Sequence, residues 1–457
     1  MRASRRVRGA YLLVLIVVLM AATIATYVFG RTYRTLALQK APFGRLAYVP
    51  SFDPIEDVSL GVPMDSGNNA PATSTKDIRA IEVFPSQVVM LAGGHAHRVI
   101  DLKRPVSTLH DLVHLVNEPS WISERSTVVT LDAAVIDHVG NTMSVAAPVT
   151  TEVVMTVRQG VFLAANQATL TLSGVYFHAS DHNTPVAGSR AAQRADLGRP
   201  FILATTHSTM TITNSTFRYL GRDWNSSYGV AWSKDSSGSV SGSVFEHNFI
   251  GIYTEHSIGL RIQHNRFYYN SLYGVDPHSG SSHLLVEYNI SNYNGRHGII
   301  FSDHVTDGIV RYNVTKANGL NGIMMDEAST SNKIDHNIVS DNKSDGIVLA
   351  ESDNNEVAYN TITGNRVGVH IRGETEPKNA VFRNTIANND MAAQGSGLSG
   401  NNSYGNGGQW TARRIASVWL TALALLVALM AITRMSRRGR DRRQTRSSRR
   451  QTGLGMA

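Results

Sequence analysis

The sequence predicts an all-β fold, a right-handed parallel β-helix built from coils of about 24 residues. Two series of asparagines indicate this repeat, because each recurs every 23 or 24 residues and the second follows the first by five. A glycine followed by valine or isoleucine recurs at nearly the same spacing. The three series are Asn265, Asn289, Asn313, Asn337, Asn360 and Asn384; Asn270, Asn294, Asn318, Asn342, Asn365 and Asn389; and Gly274, Gly298, Gly322, Gly346 and Gly368.

The segments between these positions favour strands over helices. They are short and rich in β-branched residues, whereas a helical repeat would need amphipathic segments of about ten residues. In a β-helix, inward-facing valine, isoleucine and leucine stack from coil to coil at about 4.8 Å. Stacked asparagines form an internal ladder and tolerate the left-handed conformation of a tight turn, while glycine permits positive φ at another corner. We therefore interpret the repeated asparagines and glycines as structural.

Two apolar segments flank the repeats. Tyr11–Phe29 contains 19 residues without a charge and Ile415–Ile432 contains 18, each long enough to span a bilayer. Arginines flank the terminal side of both, which by the positive-inside rule predicts cytoplasmic termini and an extracytoplasmic β-helix, anchored to the cell membrane by two transmembrane helices. A cleaved signal peptide is the alternative for the first segment.

These features predict six regions. Before the repeats, Ser107 is the expected N-cap of a short helix that would close the open end of the solenoid. The regions are a basic start and transmembrane anchor (1–32), a linker and N-terminal cap region (33–125), the parallel β-helix (126–395), a second linker (396–414), a transmembrane helix (415–433) and a basic cytoplasmic tail (434–457).

Charge and cysteine content exclude several functions. The net charge of +8 comes from the ends, since nine arginines and one aspartate follow Thr433 and four arginines lie in the first ten residues. The remainder carries about −4, so no nucleic-acid partner is predicted. Because cysteine is absent, disulfides, cysteine nucleophiles and thiolate metal sites are excluded.

A column of acids runs along the repeats. Counting from the first asparagine of each coil places Glu255, Asp303, Glu327 and Glu351 at one offset, with Asp326 beside them. Stacked carboxylates repel one another, so the column predicts a groove for an extended polymer or for cations. A solvated turn edge is the alternative. Oxygen ligands suit Ca²⁺ better than Zn²⁺, although no cofactor is required. We recognise no His-x-x-x-His pair on one face and assign no metal site.

One rung of this column combines Tyr273, Asp276 and His278. Histidine exchanges protons near neutral pH, and tyrosine donates one when neighbouring groups tune its pKa. Strand alternation places Tyr273 on one face and Asp276 with His278 on the other. Asp303, one coil away, is expected within hydrogen-bonding range of His278. The rung therefore predicts a general acid–base site.

The segment Tyr273-Gly-Val-Asp-Pro-His278, set within asparagine repeats, resembles the mannuronan C5-epimerases of alginate biosynthesis, which are parallel β-helix enzymes. The resemblance covers about residues 200–390. It implies His278 and Tyr273 as the acid–base pair, Asp276 and Asp303 as supporting catalytic residues, and an acidic polysaccharide substrate. Expected substrate-binding residues are Glu255, Asp326, Glu327, Glu351 and Lys316.

The implied reaction removes the C5 proton of β-D-mannuronate within a polymer and reprotonates the opposite face. A polyuronate lyase or a non-catalytic β-helix that binds a surface or exported polysaccharide are the alternatives. The two membrane segments suggest a location beside polysaccharide export or biosynthesis machinery. Ser279 stands where the family usually has an acid, and Leu320 where the secreted members have an arginine.

Because Leu320 stands in place of that arginine, the substrate carboxylate has no obvious cation beside it. The sequence leaves five candidates for neutralising it: Arg296, Arg311, Lys316, a protonated aspartate or Ca²⁺.

Overall fold

The computed structural model describes residues 79–157, 160–180, 199–223, 227–373, 379–395 and 402–404. These residues form an all-β, right-handed parallel solenoid of about ten turns, as predicted. The predicted membrane segments lie outside the described residues. Within the described ranges, no helix combines the length and hydropathy that a membrane span requires.

Three sheets form the walls of the solenoid, and its strands are numbered in chain order. Sheet A is parallel except at β1–β2 and β2–β3, which pair antiparallel. Its described strands are β1 (Arg79–Val83), β2 (Gln87–Ala92), β3 (His95–Asp101), β6 (Ala134–Asp137), β9 (Phe162–Asn166), β12 (Phe201–Thr205), β15 (Val230–Ser233), β18 (Ile252–Glu255), β21 (Val275–His278), β24 (Ile299–Ser302), β27 (Ile323–Asp326), β30 (Asp345–Ala350), β33 (Val367–Arg372) and β36 (Met391–Gln394).

Sheet B is parallel throughout its described strands. They are β7 (Thr142–Ala146), β10 (Thr169–Ser173), β13 (Thr209–Thr213), β16 (Ser237–Ser241), β19 (Arg261–Gln263), β22 (Leu285–Glu287), β25 (Ile309–Arg311), β28 (Lys333–Asp335), β31 (Glu356–Ala358) and β34 (Ala380–Phe382).

Sheet C is parallel except for the antiparallel pair β4–β5. Its described strands are β4 (Ile122–Arg125), β5 (Val128–Leu131), β8 (Glu152–Met155), β11 (Tyr176–Ala179), β14 (Thr216–Arg218), β17 (Val244–Glu246), β20 (Arg266–Tyr268), β23 (Ile290–Asn292), β26 (Val314–Lys316), β29 (Ile338–Ser340), β32 (Thr361–Thr363), β35 (Thr385–Ala387) and β37 (Asn402–Tyr404).

The inner faces of the sheets enclose a continuous apolar core. One of its columns is a stack of phenylalanines on sheet C, Phe177, Phe217, Phe245 and Phe267, with successive ring centroids 5.2, 4.8 and 5.0 Å apart. All four rings are fully buried. Identical side chains therefore meet from coil to coil, as the repeat predicts.

The predicted asparagine ladder is present, but its backbone conformation differs from the expectation. Asn289 donates through Nδ2 to Asn313 Oδ1 (3.0 Å) and to the carbonyl of Ile262 (2.8 Å), and its own N–H also reaches Asn313 Oδ1 (2.9 Å). The left-handed conformation belongs to the preceding residue, as in Tyr288 (φ 55°) and Tyr312 (φ 54°). Each ladder asparagine thus serves as a buried hydrogen-bonding group rather than as the turn residue.

The repeated glycines also act differently from the prediction. Those of the series, such as Gly298, do not have positive φ. A Cβ on Gly298 would lie 2.8 Å from the carbonyl oxygen of Gly322 and 2.9 Å from Asn318 Nδ2. Close approach of neighbouring coils therefore requires glycine here.

The N-terminal end of the solenoid carries the predicted short helix, α1 (Leu109–Val116). Its N-cap is Thr108 rather than Ser107, because Thr108 Oγ1 accepts the N–H of Asp111 at 3.0 Å. The apolar face of α1 joins the core, and the helix packs against β4 and β7. The helix therefore covers the core at this end.

Removing one ladder side chain tests how much the ladder stabilises the fold. We expect Asn313→Ala to lower the free energy of unfolding by about 3 kcal/mol, because buried donors and acceptors on Asn289 and Val286 lose their partner. Urea denaturation followed by circular dichroism measures the change. Thr361→Ala, at an exposed position on β32, is the control and should shift stability by less than about 0.5 kcal/mol. Equal effects of the two substitutions would contradict the role of the ladder.

Candidate active site

The outer face of sheet A holds the predicted acid–base rung, and strand pairing fixes its rows. His278 pairs with Glu255 on one side and with Ser302 on the other, and Ser302 pairs with Asp326. The sequence placed Glu255 in the row of Asp303 instead. The coil from β18 to β21 has 23 residues rather than 24, since Ile252 pairs with Val275, and this difference moves Glu255 by one position.

The second row lies one residue later, where sheet A ends and the chain turns. Its members follow the strands in left-handed conformation, which explains how a turn can carry carboxylates on successive coils. They are Ser279 (φ 40°), Asp303 (φ 62°), Glu327 (φ 47°) and Glu351 (φ 49°).

His278 and Asp303 interact through Ser279. His278 Nδ1 lies 2.6 Å from Ser279 Oγ, and Ser279 Oγ donates its proton to Asp303 Oδ2 at 2.9 Å. The sequence expected a direct contact between the imidazole and the carboxylate. The serine that replaces the family's usual acid instead bridges them.

This bridge determines which imidazole nitrogen carries the proton. Burial would raise the pKa of Asp303, but hydrogen bonds from His304 and Ser279 outweigh burial and lower it, so the carboxylate is ionised and only accepts. Ser279 gives its single proton to Asp303, so its oxygen must accept from His278 Nδ1–H. The lone pair of neutral His278 therefore lies on Nε2.

The surroundings keep His278 neutral. Burial lowers its pKa, and the negative charge of Asp303 only partly offsets that effect. The ring also lies against the buried Tyr253, with centroids 5.8 Å apart. At neutral pH His278 therefore has the protonation state of a general base.

The surroundings of Asp276 favour its neutral, protonated form. Asp276 is only 3% exposed, and Oδ1 has no hydrogen-bond partner among the described residues. Burial, with a smaller contribution from the charge of Asp326, raises its pKa well above the ordinary value. A protonated carboxyl in this position can donate a hydrogen bond to an anion.

Tyr273 lies on the outer side together with Asp276, and not on the opposite face as alternation predicted. It precedes β21, so the strand pleat does not set its direction, and its ring stacks on His297 with centroids 5.3 Å apart. Burial, followed by the charge of Asp276, raises its pKa to about 12. The phenol therefore stays protonated and can act as a proton donor.

A cation does reach this rung. Arg296 Nη1 donates to Tyr273 Oη at 3.4 Å. The other two cations considered from the sequence lie on other sheets: Lys316 ends β26 and pairs with Asp341 (3.5 Å), and Arg311 ends β25 and pairs with Glu287 (2.6 Å). The structure therefore brings Arg296 to the site and does not bring Lys316 there.

The acidic side chains on the next two coils differ in their exposure to solvent. Asp326 is half-buried, and burial together with Glu327 raises its pKa to about 6, while Arg372 on β33 opposes this effect. Glu327 and Glu351 are exposed. The row of His278 thus continues through Asp326 toward Arg372, which pairs with Ala350.

Three features of this site were not predicted from the sequence, namely Ser279 as a bridge, Tyr253 against His278, and Arg372. Arg296 was one of three basic residues considered there, and the sequence did not single it out. Counting residues from coil to coil could have pointed to Arg296. Arg296 is hydrogen-bonded through the backbone to Leu272 and Leu320, so it occupies the same corner one coil before the position where an arginine was sought.

Metal ligands do not converge on the acidic rows. Throughout the part of the chain that the structure describes, one group brings three ligand atoms within 4.8 Å of one another, and it consists of His110, His114 and Glu124 near the N-terminal end.

The electrostatic link between Asp303 and His278 can be measured directly. The Asp303 charge raises the pKa of His278, so Asp303→Asn should lower that pKa further below its usual value. Nitrogen chemical shifts of the ¹⁵N-labelled imidazole against pH report the change. Glu351→Gln, which removes an exposed carboxylate, should leave the titration of His278 unchanged. A higher His278 pKa in Asp303→Asn would contradict this assignment.

Comparisons with known proteins support the fold. A family described as "Right handed beta helix region" matches residues 159–329, and one described as "Periplasmic copper-binding protein (NosD)" matches residues 275–415. A search of curated protein sequences finds no match. Neither family match covers half of the chain.

Two of the solved structures that match this chain are alginate or mannuronan epimerases. The periplasmic alginate epimerase AlgG is 20% identical with a TM-score of 0.57, over 66% of this chain and 82% of that chain. The A-module of the mannuronan C-5 epimerase AlgE4 from Azotobacter vinelandii is 14% identical with a TM-score of 0.36, over 59% of this chain and 90% of that chain. The likeness predicted from the sequence is confirmed for the fold: this chain is a right-handed parallel β-helix with the architecture of AlgG.

Proposed function

We propose that this protein modifies an acidic polysaccharide, and that it epimerises C5 of β-D-mannuronate or a related uronate within the polymer. The observation that carries the proposal is the His278–Ser279–Asp303 relay beside the neutral Asp276. A neutral base, a protonated phenol and an uncharged acid lie on one sheet face. Proton transfer at a carbon next to a carboxylate can use this combination.

In the first step, His278 Nε2 takes the C5 proton of the sugar. The relay holds the proton on Nδ1, so the Nε2 lone pair is available without a change of tautomer. The electron pair left by the C5–H bond moves into the substrate carboxylate. Asp303 stabilises the imidazolium that forms, because its charge raises the pKa of His278.

The intermediate carries extra negative charge on the carboxylate oxygens, and two groups can counter it. Protonated Asp276 donates a hydrogen bond without introducing a charge of its own, and Arg296 supplies a positive charge. These groups supply the neutralisation that the sequence left open.

In the second step, the Tyr273 phenol gives its proton to C5 from the opposite face, which inverts the centre. The enzyme then holds an imidazolium and a phenolate, and exchange with solvent returns both to their starting states. Because solvent supplies the proton, the product carries solvent hydrogen at C5. If the same intermediate expelled the 4-O-linked sugar, the C4–O bond would break and the protein would be a lyase.

The name of the NosD family does not alter this proposal. That family match begins at residue 275, and within the described part of it no three metal-ligating side chains come together. A pure polysaccharide binder would not need the buried neutral Asp276, whose burial costs stability.

The reaction is tested by incubating the purified full chain with polymannuronate in D₂O. We expect guluronate residues with deuterium at C5 by NMR, and a loss of at least about 10²-fold in rate for His278→Ala and for Tyr273→Phe. His283→Ala, at an exposed turn position, is the control. Unsaturated ends absorbing in the ultraviolet would identify a lyase instead, and the absence of both products would refute the proposal.

The same assay separates the two arginines. Arg296→Gln should lower kcat/KM by about 10² to 10³, the effect typical of removing one group that stabilises a developing oxyanion. Arg311→Gln should have no effect, because its guanidinium is bound to Glu287 on sheet B. Equal losses in both variants would contradict the assignment of Arg296.

We also propose that the apolar segments 11–29 and 415–432 anchor the β-helix outside the cytoplasm. Their length and their flanking arginines support this topology. Since the chain has no cysteine, single introduced cysteines report on location. A membrane-impermeant maleimide should label Thr361→Cys in intact spheroplasts, but not Ser4→Cys or Ser436→Cys. Labelling of a terminal cysteine would reject the topology.

A further inference from the structure

Three side chains at the N-terminal cap form a compact group that the proposed reaction does not use. His110 and His114 lie on α1, and Glu124 lies on β4. His110 Nδ1 is 2.7 Å from Glu124 Oε2, and His114 Nε2 is 3.8 Å from the same oxygen. The three ligand atoms lie within 4.8 Å of one another, so small side-chain adjustments bring them to metal-binding distances.

Helix geometry accounts for the convergence of the histidines. The spacing His110-x-x-x-His114 places both imidazoles on one face, one turn apart, and their ring centroids are 4.5 Å apart in an edge-to-face arrangement. This pair contradicts the expectation that the sequence holds no His-x-x-x-His on one face. Thr108 caps the N-terminus of α1, and the Arg98 guanidinium donates a hydrogen bond to the carbonyl of Val116, so both ends of the helix are held.

Glu124 supplies a second and independent observation. Its side chain is only 8% exposed, and Oε1 has no hydrogen-bond partner among the described residues. A buried carboxylate oxygen without a partner is costly. A cation bound by the carboxylate would offset that cost, whereas the contact with His110 uses only Oε2.

We propose that His110, His114 and Glu124 bind a divalent transition-metal ion of the zinc class. Two imidazoles and one carboxylate are a donor set that such ions accept in tetrahedral geometry, with water at the fourth position. His114 is 68% exposed, which leaves that position open to solvent. Mg²⁺ and Ca²⁺ prefer all-oxygen sites and should bind poorly here.

The ion would fasten the cap to the solenoid. Helix α1 buries Leu109, Leu112 and Val116 at the end of the core, and Glu124 lies on a neighbouring strand of sheet C. A metal bond between α1 and β4 would hold this cover in place. The helix packs on β7, which lies five strand spacings from β22 of the catalytic coil, roughly 24 Å. The inference therefore does not rest on the proposed polysaccharide reaction.

The experiment uses the purified full chain after treatment with chelator and removal of that chelator. Titration with ZnCl₂ by calorimetry should show one saturable site per chain. The melting temperature should rise with the zinc concentration, because the ion binds the folded state. MgCl₂ and CaCl₂ at the same concentrations should cause no rise.

Single substitutions distinguish zinc binding at this site from zinc binding to exposed histidines elsewhere on the surface. His114→Gln changes an exposed residue and should weaken zinc binding at least about tenfold and abolish the thermal shift. Glu124→Gln should do the same. His95→Gln, on the exposed part of β3, is the matched control and should leave both measurements unchanged.

Two outcomes would overturn the proposal. One is the absence of saturable zinc binding by the wild-type chain. The other is binding that survives His114→Gln but falls in His95→Gln, which would indicate adventitious binding only.

Discussion

The stacking of one coil on the next is the constraint on which the rest of this protein depends. Each ladder asparagine uses its amide to join its own coil to the following one, as Asn289 does with Asn313. Glycines such as Gly298 leave no room for a Cβ between coils. These contacts hold successive coils in register, so counting residues gives the position of a side chain on the outer wall wherever the coils have equal length. Where a coil is one residue shorter, counting by 24 assigns a side chain to the wrong row, as it does for Glu255.

Burial on the outer face of sheet A determines the chemistry of the rung. The same low-polarity surroundings favour the neutral form of His278, of Asp276 and of Tyr273. For a histidine this produces a free base, whereas for an aspartate and a tyrosine it retains the proton. One physical cause therefore prepares a proton acceptor and two proton donors side by side. Arg296 adds the positive charge that burial alone cannot provide.

The fold could be predicted from the sequence because every coil repeats the same residue pattern. The recurrence of Asn265 and its equivalents predicted parallel coils, and counting brought Asp303 next to the coil of His278. The hydrogen-bonding path between these two residues could not be predicted, because it depends on the rotamer of Ser279. Likewise, the reach of Arg296 to Tyr273 depends on how the corner before β21 turns, and no periodic pattern encodes that.

Ser279 shows why residue identity and residue role must be separated. Read as a substitution, it removes an acid from the motif and weakens the case for catalysis. Within the turn, its hydroxyl can accept from His278 and donate to Asp303 at the same time, which a carboxylate at that position could not do. The negative charge is then carried by Asp303, one coil away, and the serine transmits its orienting effect to the imidazole. A hydroxyl between a histidine and an aspartate thus maintains the tautomer in which the Nε2 lone pair of His278 is free to accept a proton.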